Sequence, residues 1–172
     1  TLTSIIVVAI ENKRFASELL EQEVQKKEIQ VAGEMQKLLF PLEFPKNKYI
    51  EVAARYEPKH LVGGDYYDFI VLNESEYFFC IADVSGKGVA AALLMSNFQA
   101  NLRAIIKYNY MKISLEDLIK NLNEDVNNAA KGEKFITFFA AHYNGKTKTL
   151  QYINAGHNYP IFCLLYTSDA AD

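Results

Sequence analysis

The sequence predicts an antiparallel α+β fold preceded by a long helix, and three observations predict it. Asn12 to Leu39 holds no proline and one glycine among good helix formers. Beyond Pro45 the apolar period shortens to two, in segments joined by short polar turns, which is the pattern of hairpins. Between two such groups lies a helical pair, which argues layered strands and helices rather than βαβ repeats. The 172 residues allow one domain and little more. Half of them are apolar and 13% are aromatic, enough for a core and incompatible with a disordered chain.

Taken in order, the long helix carries Val24, Val31 and Leu38 at heptad spacing, with Leu20 and Met35 in companion positions and Glu28 interrupting the seam. Two readings stand: a short two-stranded coiled coil, or a surface helix packed on its own domain. Pro41 and Pro45 stop it. Tyr49 to Tyr56 reads as a strand, and a loop from Glu57 to Gly64 leads to Asp65. Tyr66 to Leu72 and Tyr77 to Ala82 form a hairpin around the polar turn Asn73 to Glu76. The tight loop Asp83 to Gly88 opens a small-residue helix from Val89 to about Tyr108. Ser114 caps a second helix, with Glu116 and Asp117 in its first turn. Phe135 to Tyr143 and Thr149 to Asn154 are strands around Asn144-Gly145-Lys146, and Asn158 to Phe162 starts another.

Eighteen basic residues against 21 acidic give a net charge of -3, without the basic excess of a nucleic-acid binder. Cys80 and Cys163 are too few for a disulfide framework and fit no zinc spacing, so a reducing, cytoplasmic setting is expected. The opening apolar run from Ile5 to Ile10 is too short to span a bilayer, so a membrane enters only if an upstream segment supplies it. Ile5 to Phe15 resembles the closing helix of a GAF-type sensor domain. Cys163 to Asp172 resembles an in-frame translation of a sequencing-library adapter. The expected organisation is therefore an upstream domain's end over 1–14, a linker helix over 15–40, a core over 41–162 and a scar over 163–172.

Two loops carry the chemistry. Gly63-Gly64-Asp65 and Asp83-Val84-Ser85-Gly86-Lys87-Gly88 each set an Asp beside glycines at a strand end. The hairpin between them runs away from Asp65 and back toward Asp83, so the carboxylates should lie side by side at its open end. Such a pair repels itself and needs a cation between its members or a proton on one. Hard oxygen donors suit Mg²⁺ or Mn²⁺. Either Asp alone reads as a turn or cap residue. A Walker A loop fails, because Ile81 stands where its first Gly is needed. Gly86-x-Gly88-x-x-Ala91 fits the loose dinucleotide pattern, but a hairpin precedes it and no strand ending in an acid follows at the required distance. Ser85 lies outside a Gly-x-Ser-x-Gly elbow, so a serine hydrolase finds no support.

The stretches GGDYYDF at 63–69, IADVSGKGVAAALLM at 81–95 and NAGHNYPIF at 154–162 resemble the metal-dependent protein serine/threonine phosphatases of type 2C. The SpoIIE/RsbU branch fits best, and GEMQKLLFP at 33–41 and FITFFAAHYNGKTKTLQYINAGHN at 135–158 fit it too. The resemblance implies an α-β-β-α sandwich of two antiparallel sheets, incomplete here, with a two-ion Mn²⁺ or Mg²⁺ centre. It implies Asp65 as a ligand of one metal, Asp83 as the bridge and the Val84 carbonyl as a further ligand. The two acids would then be the catalytic residues, activating water for attack on a phosphoserine or phosphothreonine. Asp68 would hold metal-bound water from outside the ligand set. Lys87 is either a phosphate contact or a solvated loop lysine. His142 reads as a packed or edge histidine, and His157 as a structural residue of a tight turn. The family's later acidic motifs are absent before Phe162, so the 172-residue polypeptide is expected to be weakly active or inactive. The implied partner is a phosphorylated regulator of the anti-sigma-factor-antagonist type, with a homodimer through the 15–40 helix. A dinucleotide-binding module, or a non-catalytic regulatory domain of the same fold, are the alternatives.

Overall fold

A computed structural model describes residues 2–109 and 113–163. Seven elements follow in order: α1 (Leu2–Lys37), β1 (Tyr66–Val71), β2 (Glu76–Val84), α2 (Gly88–Asn109), α3 (Leu115–Ala130), β3 (Ile136–Asn144) and β4 (Thr149–Ala155). The strands form one antiparallel sheet in the order β1-β2-β3-β4, so sequence neighbours are always spatial neighbours. The α+β class and the hairpin topology are as expected. Among the described residues there is one sheet of the anticipated two.

The helices cover one face of that sheet because alternation in the strands and helical spacing in α2 meet there. Tyr66, Phe78, Cys80, Ala82, Val84, Phe138 and Ala140 point inward from alternate positions and are buried. Ala91, Met95, Phe98, Leu102 and Ile106 recur on one side of α2 and fill the space above them. Leu118 and Leu122 add the inner stripe of α3. Among the described residues α2 is the one helix long and apolar enough to cross a bilayer, yet its inner face is this core. Ser114 caps α3 as expected, accepting the Asp117 amide at 3.0 Å.

Two expected strands are not strands. Over Tyr49 to Tyr56 there is an isolated bridge, Lys46 with Glu51, and no ladder. Asn47 instead folds the chain into a local turn, accepting the Tyr49 and Ile50 amides at 2.9 and 3.2 Å. The segment after Asn158 is also unpaired, and Tyr159, Ile161 and Phe162 are exposed. The cause is shared: apolar alternation defines a face, but a strand also needs a neighbour to hydrogen-bond, and neither segment has one among the described residues. The adapter-like reading of the tail falls outside the described residues, apart from Cys163.

The long helix runs without interruption through the boundary expected near residue 14, and a 36-residue helix is about 54 Å long. Val24, Val31, Met35 and Leu38 are all exposed, so among the described residues nothing of the chain packs on the seam. Among the described residues only the C-terminal turns dock. There Gln36, 8% exposed, donates to the Gly63 carbonyl at 2.8 Å and accepts the Gly63 amide at 3.1 Å. A Cβ on Gly33 would lie 2.1 Å from the Leu61 carbonyl oxygen, so the helix's single glycine lets the 61–63 loop cross it. Phe40 then stacks on Tyr56 at 4.6 Å and plugs the edge of the core. Replacing Gln36 with Ala should remove both loop hydrogen bonds. Faster hydrogen exchange at Gly63 with unchanged exchange in α2 is the expected result.

Candidate metal centre

The β1–β2 register sets the site. Tyr66 pairs with Ala82, which puts Asp65 and Asp83 opposite each other just beyond the first pair of the hairpin. The two carboxylates are close enough to share a hydrogen bond. Partial burial, that hydrogen bond and the charge of Asp83 push the Asp65 pKa up, and nearby His157 pulls it down. The pair is thus held in the repelling arrangement that calls for a cation or a proton.

The glycines around it are there for closeness. A Cβ on Gly64 would meet the Val84 carbonyl oxygen and the Val84 Cβ, each at 3.0 Å, and Ala91 at 3.2 Å. Gly64 therefore lets the Asp65 loop lie against the end of β2, where the Val84 carbonyl sits. Gly86 and Gly88 have φ of +96° and +73°, the left-handed region in which a side chain is strained. The loop is fastened from below: Ser85 exchanges hydrogen bonds with Phe135, and Lys134 Nζ donates to the Ser85 carbonyl at 3.2 Å. These glycines serve turn geometry. The dinucleotide reading fails here, since β2 is antiparallel to both its neighbours and no parallel βαβ unit exists among the described residues.

Asp65, Asp83 and the Val84 end of β2 are brought together, and Lys87 is exposed on the rim of the same cleft. Asp68 is not part of the arrangement, and its expected role beside metal-bound water is corrected. Its side chain is fully buried beneath α2 and accepts from Arg103 through two hydrogen bonds of 2.8 Å. The Tyr66 hydroxyl and the Phe69 amide donate to it as well. Alternation explains the difference: Asp68 shares the inward face with Tyr66, whereas Asp83 lies on the face of Phe79 and Ile81.

Three residues outside the expected set border the site. Thr137 is the β3 partner of Asp83, and its hydroxyl lies 2.9 Å from His157 Nδ1. Asn154 holds the His157 turn, accepting the His157 amide at 2.8 Å and donating to its carbonyl at 3.0 Å. So the turn is structural, as expected, while the imidazole borders the carboxylates. Tyr56 borders both loops, and its phenol pKa is raised by burial and by the charge of Asp65. His142 sits toward the other end of β3, opposite Phe78 and Gln151. Register exposes Thr137 once β3 is paired with β2; nothing local marks it. Among the described residues no three His, Cys, Asp or Glu side chains gather as a metal cage. The donors in place are two carboxylates beside a backbone carbonyl, all hard oxygen and fitted to a divalent cation of the Mg²⁺ or Mn²⁺ kind.

Comparison with known proteins identifies the family and the fold. The family model for stage II sporulation protein E (SpoIIE) matches residues 73–169. The phosphoserine phosphatase RsbU of Bacillus subtilis is 34% identical over 138 residues, 80% of this chain and 40% of that protein. Protein IcfG of Synechocystis is 28% identical over 94% of this chain and 29% of that protein. The chain thus spans less than half the length of either relative. In structure it is similar to the SiaA-PP2C domain of Pseudomonas aeruginosa, with a TM-score of 0.62 at 14% identity, covering 78% of this chain and 55% of that one. That likeness shows a shared fold. With more than half its residues matched by one family model, the chain belongs to the SpoIIE family.

Proposed function

We propose that this chain carries the metal-holding edge of a cytoplasmic protein phosphatase that acts on phosphoserine or phosphothreonine in a bacterial signalling protein. The observation that carries the reading is the Asp65–Asp83 pair, placed side by side by the hairpin register in a SpoIIE-family chain. Asp65, Asp83 and the Val84 carbonyl would hold the metal, Mn²⁺ or Mg²⁺, two ions in the intact domain. Bound there, such cations supply an acidified water as nucleophile and offset charge on the phosphoryl oxygens. The chain's own residues fix the geometry. The β1–β2 hairpin holds the carboxylates, and Lys134 and Phe135 hold the loop after Asp83. The His157 imidazole, anchored by Thr137 and Asn154, moderates the charge at Asp65.

Similarity to a phosphoserine phosphatase supports the substrate class. A small phosphoserine-bearing antagonist of an anti-sigma factor is the partner we favour. Two acids without a third beside them among the described residues support weak or absent turnover by the 172-residue polypeptide alone. The test is phosphate release from such a phosphoprotein by the intact protein. Release with Mn²⁺ or Mg²⁺ that stops on chelation is expected; release indifferent to chelator would contradict the reading.

The uncovered seam of α1 supports a homodimer as part of this function. Asp at Val24 and Val31 would place like charges in an apolar seam. Sedimentation should then shift from dimer toward monomer, and an unchanged profile for both variants would count against the seam.

A further inference from the structure

The carboxylate pair forms the floor of a cleft of about 230 Å³ between the Pro58–Gly64 loop and the Gly86–Gly88 loop. The same two carboxylates also line a larger cleft, of about 630 Å³, beside Phe79 and Ile81. The rims of the smaller cleft are cationic: Lys59 and His60 on one wall, Lys87 on the other. All three are exposed, and among the described residues none makes an ion pair or a side-chain hydrogen bond. The walls themselves are fixed. Gln36 pins Gly63 on one side, and Lys134 pins the Ser85 carbonyl on the other.

An anion approaching two carboxylates is repelled unless positive charge stands close by. Three uncommitted cationic or protonatable groups that line the same cleft as the two carboxylates supply it. We propose that Lys59 and His60, facing Lys87, form a rim that seats a phosphate dianion, whether carried on a phosphoserine ester or released as inorganic phosphate. The inference rests on the phosphatase reading for its substrate and names residues on the Pro58–Gly64 wall as the substrate's recognition elements. Lysine acts here as a point charge toward phosphate, and neutral imidazole or imidazolium adds an N–H donor.

The rim is tested by titrating the full chain, with chelator present, using inorganic phosphate and O-phosphoserine as separate probes followed by ³¹P NMR. Both probes should bind saturably. The double substitution Lys59→Gln/His60→Gln should weaken each by about tenfold, the change that loss of one good charge contact brings. Lys59→Arg should keep the affinity, and Lys146→Gln, in the turn beyond Asn144 at the other end of the sheet, should leave it unchanged. In the intact phosphatase the double substitution should raise KM about tenfold and leave kcat within about twofold, the mark of binding that is equal in ground and transition states. No saturable binding by the unaltered chain would overturn the rim. So would binding of inorganic phosphate alone, or equal affinity and KM in the double variant. Rim binding of both probes by a protein that releases no phosphate from phosphoserine would overturn the phosphatase reading and support the rim.

Discussion

Changing Asp83 to Asn in the intact protein is expected to cut phosphatase turnover by at least about a hundredfold, the upper range for losing a mere supporting partner of a metal ligand. The register puts Asp83 opposite Asp65 on one side and Thr137 on the other, so its carboxylate is central to the site. Stability should respond in the opposite sense. Asp83 is exposed, and its charge helps to push up the Asp65 pKa. Removing it relieves repulsion, so the melting temperature in chelator should stay level or rise. A variant that keeps its activity, or one that loses activity because it unfolds, would contradict this assignment.

Arg103→Leu should do the reverse and cost about 3–5 kcal/mol of folding stability, because it strands a buried carboxylate. The Asp68 side chain is fully buried and Arg103 supplies two of its hydrogen bonds, from a side chain 45% exposed. Burial and Asp68 hold the Tyr66 hydroxyl protonated far above the ordinary tyrosine range, so Tyr66 remains a donor but brings no charge. Such a loss is a large share of the roughly 5–15 kcal/mol that holds a domain folded. Changing Asp68 to Leu as well should recover much of it, since the stranded charge is then gone. Denaturant unfolding of the single and double variants measures both. A single-variant loss below about 1 kcal/mol would show that Asp68 finds other compensation.

Much of this was legible in the sequence where the controlling interactions are local. The polar turn at Asn73 and the alternation on either side define the hairpin, and Asn73 indeed accepts the Ser75 and Glu76 amides. Once the hairpin is fixed, the meeting of Asp65 and Asp83 follows from register alone. The Asp68 environment was not legible, because Arg103 lies a strand, a turn and a helix away and only tertiary packing joins them. The same limit applies at Tyr49 to Tyr56, where the apolar pattern is real but no partner strand stands beside it among the described residues. Gly33 shows the subtler case: a glycine in a long helix looks like a weak point until the Leu61 carbonyl is found against it.

The central claim is that Asp65 and Asp83 together hold a divalent cation, and Mn²⁺ titration of the chain followed by electron paramagnetic resonance tests it most directly. The account predicts saturable Mn²⁺ binding that Asp65→Asn or Asp83→Asn weakens by about 10–100-fold or more. Equal Mn²⁺ affinity in the unaltered chain and both variants would contradict it.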